Sequence, residues 1–144
     1  MNATANSCPP EARPLRILIV DDQPALRKLI RLILTPAGCE IEEAADGWAG
    51  EQVFRARPAD LVLCDLFMPG RDGLEVLRAL SREFSSVKFV MMSGGGDFHG
   101  TVNLLPLATS LGAAGVLRKP FGPSELLSAV RQALGVNPND TRSI

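Results

Sequence analysis

Residues Leu61–Gly73 read LVLCDLFMPGRDG, and this stretch indicates the kind of fold more clearly than any other. Its first four residues are apolar without interruption, which is typical of a strand buried on both faces of a parallel sheet. Asp65 follows that run directly, and leucines at helical spacing predict a helix from Gly73 to Glu83. The stretch therefore predicts a buried strand that ends in a carboxylate and is followed by a helix.

The same alternation of strand and helix is repeated along the chain. Apolar runs predict strands at residues 15–20, 39–44, 61–64, 87–92 and 115–118. Apolar residues at helical spacing predict helices at residues 24–34, 47–56, 73–83, 104–111 and 123–134. Strands that alternate with helices in this way predict an α/β fold, in which a doubly wound, five-stranded parallel sheet lies between two layers of helices.

The length and composition of the chain limit what it can be. A chain of 144 residues is the size of one globular domain, which we predict at residues 14–135, between a disordered leader (1–13) and a polar tail (136–144) with no output domain. The 15 basic and 16 acidic residues leave a formal net charge of -1, without the basic surplus typical of nucleic-acid-binding proteins. The three cysteines form no metal-binding or disulfide pattern, and no signal peptide or membrane span is recognisable. We therefore expect a cytoplasmic protein with neither a nucleic acid nor a membrane as partner.

Reactive side chains follow four of the five predicted strands. Asp21 and Asp22 come after the first strand, Asp65 after the third, Ser93 after the fourth and Lys119 after the fifth. Ligands bind outside the carboxyl ends of the strands in open α/β sheets, so these side chains are expected to meet at one edge. The sequence thus predicts a site with three carboxylates, one hydroxyl and one ammonium group.

A site of this composition suits the transfer of a phosphoryl group. Neighbouring carboxylates repel one another unless a counter-charge is present, and Mg2+ binds carboxylate oxygens together with phosphate oxygens. Lys119 supplies a second positive charge for a phosphoryl oxygen, and Ser93 supplies a hydrogen-bond donor. A carboxylate can itself be the nucleophile that accepts the phosphoryl group. We therefore expect Mg2+-dependent phosphoryl chemistry at this site.

Five sequence features together resemble the receiver domain of two-component response regulators. They are Asp21-Asp22, Asp65-Leu66-Phe67-Met68-Pro69, Asp72-Gly73, Ser93 and Lys119-Pro120-Phe121. Each feature alone is weak, whereas all five in this order, and at the expected ends of strands and helices, are highly specific. The resemblance covers residues 15–134 and implies a flavodoxin-like (βα)5 fold.

The resemblance implies a role for each residue of the predicted site. Asp65 is expected to be the phosphoacceptor, with Ser93 and Lys119 as the other catalytic residues. Lys119 is expected to contact the Asp65 carboxylate and then the phosphoryl group, while Ser93 moves toward a phosphoryl oxygen. The Lys119-Pro120 peptide bond is expected to be cis. The expected Mg2+ ligands are Asp22, Asp65 and the backbone carbonyl of Phe67, assisted by Asp21 partly through water.

The resemblance also implies the partners of the protein. The phosphoryl donor is expected to be a phosphohistidine on a sensor histidine kinase or on a phosphotransfer protein. The protein is expected to be a stand-alone receiver, either a monomer or a phosphorylation-dependent homodimer. Its fourth helix, fifth strand and fifth helix would contact a downstream protein. It would not be an enzyme beyond catalysing its own phosphorylation and dephosphorylation. Alternatives are a phosphate shuttle or sink, a flavodoxin-like module for a small ligand, and a scaffold.

Three positions depart from the usual receiver pattern. Val116 stands where the family has a switch aromatic, three residues before the lysine, so a relay through an inward-turning ring is not expected. The segment between Ser93 and Lys119 is longer than usual, and the extra residues are expected within Gly94–Gly100. Phe67 occupies a variable position beside the phosphoryl group, where its apolar ring is predicted to limit attack by water and to slow dephosphorylation.

Several side chains also have simpler structural interpretations. The acidic pair after the first strand could cap the next helix, Asp65 could be a turn residue, and Lys119 could be a solvated strand end. Their joint placement favours a site instead. The basic face formed by Arg27 and its neighbours Lys28 and Arg31 is interpreted as solvated, with kinase docking as a minority interpretation. Trp48, at the start of the second helix, is interpreted as part of the core.

Overall fold

The computed structural model describes residues 13–94 and 105–135. The strands are β1 (Arg16–Val20), β2 (Glu40–Ala44), β3 (Leu61–Asp65), β4 (Lys88–Gly94) and β5 (Gly115–Lys119). The helices are α1 (Pro24–Leu34), α2 (Gly47–Ala56), α3 (Gly73–Glu83), α4 (Leu105–Ser110) and α5 (Pro123–Leu134). The predicted order of elements is confirmed. The predicted leader (apart from Arg13), the predicted tail and most of Gly94–Gly100 lie outside the described residues.

The five strands form one parallel sheet in the order β2-β1-β3-β4-β5. β1 pairs with β2 on one side and with β3 on the other, and β4 joins β3 to the edge strand β5. This is the doubly wound arrangement that the sequence predicts, with its topological switch point between β1 and β3. The carboxyl ends of these two central strands therefore border the crevice in which ligands bind in such sheets.

Two apolar cores pack against the two faces of the sheet. On one face, Ile19 and Leu63 of the sheet are buried with Ile30 of α1 and Val130 of α5. On the other face, side chains of β1 and β3 pack with α2, with α3 and with Ala108 of α4. The two central strands are thus buried on both faces, which explains why their sequences are continuously apolar.

The helices are short and amphipathic. The helices that flank the central strands are between 10 residues (α2) and 12 residues (α5) long, and each buries one side against the sheet. Within residues 13–94 and 105–135, none of the helices has the length and apolar character needed to cross a membrane.

Three strands extend one or two residues past the apolar runs that predict them. β3 includes Asp65, β4 includes Ser93 and Gly94, and β5 includes Lys119. Main-chain hydrogen bonds continue for as long as neighbouring strands stay in register, and the register pairs Asp65 with Met92 and Gly94 with Lys119. Three of the predicted site residues therefore stand on the sheet itself, where their backbone is fixed.

The junction between β3 and α3 is tightly packed. α3 begins with a capping box, in which the Asp72 side chain accepts from the Glu75 N–H and the Glu75 side chain accepts from the Asp72 N–H. At the first helical position, a Cβ on Gly73 would collide with the carbonyl oxygen of Asp65. Glycine at this position therefore allows the start of α3 to lie directly against the end of β3.

Two interpretations of individual side chains are wrong, and the capping alternative for the acidic pair is excluded. Trp48 is 58% exposed and lies beside Arg71 instead of in the core. Arg27 is not solvated, because its side chain is 15% exposed and pairs with Glu43 at 3.0 Å. The acidic pair does not cap α1, whose N-cap residue is Gln23 without a side-chain cap.

Candidate functional site

The carboxyl ends of β1 and β3 bring three carboxylates together. Asp65 is the last residue of β3, and Asp21 and Asp22 follow the end of β1 directly. Each of the three offers one carboxylate oxygen, and these oxygens all lie within 4.8 Å of one another. Asp21 and Asp65 are buried, whereas Asp22 is exposed. The predicted acidic cluster therefore forms, with one member open to solvent.

Besides its contact with Lys119, Asp21 is held in place by three hydrogen bonds. Its N–H donates to the carbonyl of Ala44 at 3.1 Å, and its Oδ1 accepts from the N–H of Gln23 at 2.8 Å. Arg27 Nη1 donates to the backbone carbonyl of Asp21 at 2.6 Å. This role of Arg27 could not be predicted, because a backbone acceptor leaves no pattern in the sequence. Asp21 is thus oriented by the fold before any ligand binds.

Lys119 lies between two of the carboxylates. Its Nζ is 3.0 Å from Oδ2 of Asp21 and 3.3 Å from Oδ1 of Asp65. Burial lowers the pKa of Lys119, but the hydrogen bond to Asp21 and the charges of Asp65 and Asp21 outweigh burial, so the pKa lies above its ordinary value. Lys119 therefore stays protonated at neutral pH and places a positive charge next to Asp65.

Among the described residues, the charges of this site do not balance. Three carboxylates face the one ammonium group of Lys119, and the nearby Arg27 is already paired with Glu43. A hard divalent cation with oxygen ligands compensates for such an excess of negative charge. Mg2+ takes only one or two carboxylates and keeps several water molecules, which suits a cluster with Asp22 open to solvent. The residues of the site therefore fit Mg2+.

Ser93 adds a buried hydroxyl group beside the cluster. It follows Met92, the residue that pairs in register with Asp65, and it is completely buried. Within the described part of the chain, its Oγ has no hydrogen-bond partner. Leaving a buried hydroxyl unpaired costs about 1–3 kcal/mol. Ser93 is therefore suited to bind an oxygen atom that arrives with a ligand, as the sequence predicts for a phosphoryl oxygen.

Other predicted positions flank the cluster. Phe67 lies in the loop after β3 and is 37% exposed, and the role of its backbone carbonyl as a Mg2+ ligand stays a prediction. The Lys119-Pro120 peptide bond is cis, as predicted. Val116 lies on β5 and is 40% exposed, so the aliphatic side chain at the switch position faces solvent in part.

Cys64 precedes Asp65 but is not suited to be a nucleophile. Its thiol is buried, and burial together with the charges of Asp65 and Asp21 raises its pKa well above the usual range. A thiol in such surroundings stays protonated and inert at neutral pH. Asp65 is therefore the candidate nucleophile at the end of β3.

Comparison with known proteins agrees with this geometry. A family model described as the response regulator receiver domain matches residues 17–131. The DNA-binding response regulator MtrA of Mycolicibacterium smegmatis is 37% identical over 125 residues, which cover 87% of this chain and 53% of that protein. The probable transcriptional regulator ycf27 of Cyanophora paradoxa is 33% identical over 133 residues, which cover 92% of this chain and 54% of that protein. This chain thus spans about half the length of the curated relatives it matches.

Solved structures of similar proteins have the same fold. The receiver domain of NtrX from Brucella abortus is 29% identical, with a TM-score of 0.75 over 84% of this chain and 99% of that one. The chemotaxis protein CheY4 of Vibrio cholerae is 27% identical, with a TM-score of 0.74 over 84% of this chain and 99% of that one. The sheet topology, the strand-end acidic cluster and the match over most of the chain lead to one conclusion: this chain belongs to the response regulator receiver domain family of two-component systems.

Proposed function

We propose that this protein is a phosphoacceptor in a two-component phosphorelay, and that Asp65 accepts the phosphoryl group. One observation carries the proposal: the Asp65 carboxylate lies next to the Lys119 ammonium group and within the acidic cluster formed with Asp21 and Asp22. A carboxylate can attack a phosphoryl group when positive charge at the site offsets the repulsion between the two anions. Lys119 supplies part of that charge.

The proposed transfer forms one bond and breaks one bond. An oxygen of the Asp65 carboxylate attacks the phosphorus of a phosphohistidine, the P–N bond breaks, and the imidazole leaves with the electron pair. The product is an acyl phosphate on Asp65. Positioning and neutralisation of charge supply most of the catalysis in reactions of this kind. Lys119 orients Asp65 before the transfer and faces the phosphoryl oxygens afterwards, while the Ser93 hydroxyl donates a hydrogen bond to one of them.

Mg2+ would be held by Asp22, Asp65 and the backbone carbonyl of Phe67, with Asp21 assisting partly through water. When bound, the ion neutralises the charge of the transferring phosphoryl group. The support for this assignment is an oxygen-only donor set within 4.8 Å, in which, among residues 13–94 and 105–135, three carboxylates lie beside the Lys119 ammonium group. Asp22 is the exposed member and would be the first ligand that an ion from solvent meets.

The phosphoryl donor would be a sensor histidine kinase or a phosphotransfer protein, and the output would be contact with a downstream protein. We infer that α4, β5 and α5 provide the contact surface, where Leu107 and Val116 are exposed apolar side chains. Val116 replaces the family's aromatic residue. We therefore infer that the conformational change on phosphorylation passes from Asp65 to the contact surface through Ser93 and β4. The protein would be a monomer or a phosphorylation-dependent homodimer.

We also propose three properties of the whole protein. It is a stand-alone receiver, it is located in the cytoplasm, and it has no enzymatic activity beyond its own phosphorylation and dephosphorylation. MtrA is described as DNA-binding, and this chain spans about half of it. We propose that the receiver domain itself does not bind nucleic acid, because its net charge of -1 provides no basic surplus.

Incubation with Mg2+ and acetyl phosphate, followed by intact mass spectrometry, tests the proposed phosphorylation. We expect an adduct of one phosphoryl group that is stable in acid and labile in base, and that is lost in Asp65→Asn. The matched control is Asp60→Asn, which changes the carboxylate just before β3, at the opposite end of the strand, where it binds the N–H of Arg16. This control should be phosphorylated like the wild type.

Two results would refute the phosphoacceptor function. The first is the absence of an adduct in the wild-type protein at saturating Mg2+ and acetyl phosphate. The second is an adduct that persists in Asp65→Asn. Chelation of Mg2+ with EDTA is expected to abolish the adduct, and an undiminished adduct in EDTA would refute the assignment of the metal site alone.

A further inference from the structure

A buried carboxylate outside the phosphoacceptor site connects α2 to the loop that follows Asp65. We call this loop, residues 66–72, the acceptor loop. Glu51 of α2 is only 2% exposed, although glutamates are almost never buried without partners. Its carboxylate accepts from the side chains of Arg71, in the acceptor loop, and Arg55, in its own helix. One buried charge is thus shared between a helix and the loop.

Arg71 is held on more than one side. Its Nε donates to Oε2 of Glu51, its Nη1 lies 3.8 Å from Oε2 of Glu75, and its guanidinium carbon lies 4.1 Å from the ring centroid of Trp48. A guanidinium group over an indole ring gains a cation–π attraction, which is strongest for tryptophan. Glu51, Trp48 and Arg71 are named here the Arg71 cluster. It explains why the one tryptophan of the chain lies at the surface.

The backbone of the acceptor loop is also in close contact with α2. A Cβ on Gly47, the first residue of α2, would lie 2.6 Å from the carbonyl oxygen of Arg71. At its other end, the loop is bonded to the sheet, because the N–H of Leu66 donates to the carbonyl of Met92 at 2.8 Å. The acceptor loop is therefore fixed to β4 at its start and to α2 near its end. Phe67 lies between these two attachments.

We propose that the Arg71 cluster positions the acceptor loop, and that Arg71 is thereby a positioning residue for Mg2+ binding and phosphoryl transfer at Asp65. The part concerning Mg2+ rests on the proposed function. Arg71 acts through the loop backbone, which includes the Phe67 carbonyl that the proposed function assigns to Mg2+. Removing a group that orients a metal ligand typically weakens metal binding about 10–100-fold. We expect a loss of about tenfold on removal of the Arg71 side chain, because Arg71 acts on the ligand through several residues.

The chain provides a matched control for Arg71. Arg55 binds the same buried carboxylate, with Nη2 3.1 Å from Oε1 of Glu51, and also pairs with Glu83 of α3. None of the contacts described for Arg55 reaches the acceptor loop. Arg71→Met and Arg55→Met each remove one cationic partner of Glu51, but only Arg71→Met removes the side-chain contacts between the loop and α2. A purely structural role would give the two variants similar properties at the acceptor site.

Amide hydrogen exchange in the metal-free protein tests the positioning of the loop. We expect amides of the acceptor loop to exchange about tenfold faster in Arg71→Met and at the wild-type rate in Arg55→Met. Equal rates in the two variants, or wild-type rates in Arg71→Met, would overturn the proposal. Trp48 fluorescence provides a second measurement, because its emission should change in Arg71→Met and stay unchanged in Arg55→Met.

Titration with MgCl2, followed by NMR amide shifts, tests the link to the metal site. We expect Arg71→Met to bind Mg2+ about tenfold more weakly than the wild type, and Arg55→Met to bind it with unchanged affinity. If Arg71→Met does not fold, Glu51→Gln/Arg71→Met removes the unpaired buried charge, with Glu51→Gln/Arg55→Met as its control. Wild-type loop exchange and Mg2+ affinity in Glu51→Gln/Arg71→Met would then overturn the proposal.

The two proposals fail in different experiments. If the wild-type protein takes no phosphoryl group from acetyl phosphate, the phosphoacceptor function fails, whereas metal-free exchange still decides whether Arg71 positions the loop. If the wild type is phosphorylated but Arg71→Met has wild-type loop exchange, only the positioning role fails.

Discussion

Lys119→Met is a substitution for which the structure predicts a large electrostatic effect. At the 3.0 and 3.3 Å separations of Nζ from Asp21 and Asp65, each pair of unit charges attracts by about 5 kcal/mol at an effective dielectric constant of about 20. Desolvation of the ammonium group offsets much of that attraction, and removing one partner of a buried ion pair costs about 3–5 kcal/mol. The Lys119 side chain is 17% exposed, so we expect a loss near the lower end, about 3 kcal/mol.

The pH dependence of this loss has a definite sign. The pKa of Lys119 is raised in the folded protein, so its stabilising effect is fully present below the ordinary lysine pKa of about 10.4. The effect declines as the pH rises past that value and disappears above the raised pKa. The difference in unfolding free energy between the wild type and Lys119→Met should therefore be constant near neutral pH and narrow in alkaline solution.

Urea unfolding with and without Mg2+ is the assay, and Lys88→Met is the matched control. Lys88 is an exposed lysine at the opposite, amino-terminal end of β4. We expect the Lys88→Met variant to lie within about 0.5 kcal/mol of the wild type. Saturating Mg2+ should reduce the loss in Lys119→Met by about 1 kcal/mol or more, because the ion binds more tightly to the more negative site. The predicted electrostatic role of Lys119 would be refuted if Lys119→Met lost no more stability than the Lys88→Met control, or if Mg2+ left its loss of stability unchanged.

Three further substitutions address the neighbours of Asp65. Ser93→Ala removes a buried hydroxyl that lacks a partner in the described structure. Urea unfolding of this variant should therefore show no loss of stability, or a gain of up to about 1 kcal/mol. Its phosphorylation by acetyl phosphate should be slower than that of the wild type. A clear loss of stability in Ser93→Ala would contradict this account. Gly73→Ala should destabilise by about 1–3 kcal/mol because its Cβ meets the Asp65 carbonyl, whereas Gly115→Ala on β5, whose Cβ would lie 3.6 Å from its nearest neighbour, should be nearly neutral. Phe67→Asn should shorten the lifetime of the phosphoryl group on Asp65, measured by intact mass over time, and an unchanged lifetime would exclude shielding by Phe67.

The alternation of strands and helices could be predicted because it depends on local sequence. The run from Leu61 to Cys64 is apolar because β3 is buried on both faces. The starts of α1 and α3 coincide with residues that favour a helix start, which are Pro24 at the first helical position and Asp72 at the N-cap. The acidic site could be predicted as well. In a parallel sheet every strand delivers its carboxyl end to the same edge, so residues that follow the strands meet there whatever their separation in sequence.

The partners of individual side chains could not be predicted in the same way. The sequence shows Arg27 and Arg71 as charged residues near the ends of helices, without an indication that one binds the Asp21 carbonyl and the other the Glu51 carboxylate. Trp48 was expected in the core, because the size and apolarity of its ring usually favour burial. In the structure, the ring instead pairs with the guanidinium group of Arg71 at the surface.

By itself, the sequence determined the parallel sheet, the edge at which Asp21, Asp22, Asp65, Ser93 and Lys119 lie, and the family to which the chain is similar. Only the tertiary structure decided that Lys119 contacts two carboxylates at once, that the Ser93 hydroxyl is buried without a described partner, and that Arg71 ties the acceptor loop to α2. The physical reason is a difference in range. Periodicity and strand ends are properties of neighbouring residues, whereas ion pairing and burial depend on distances of a few ångströms between segments that are far apart in the chain.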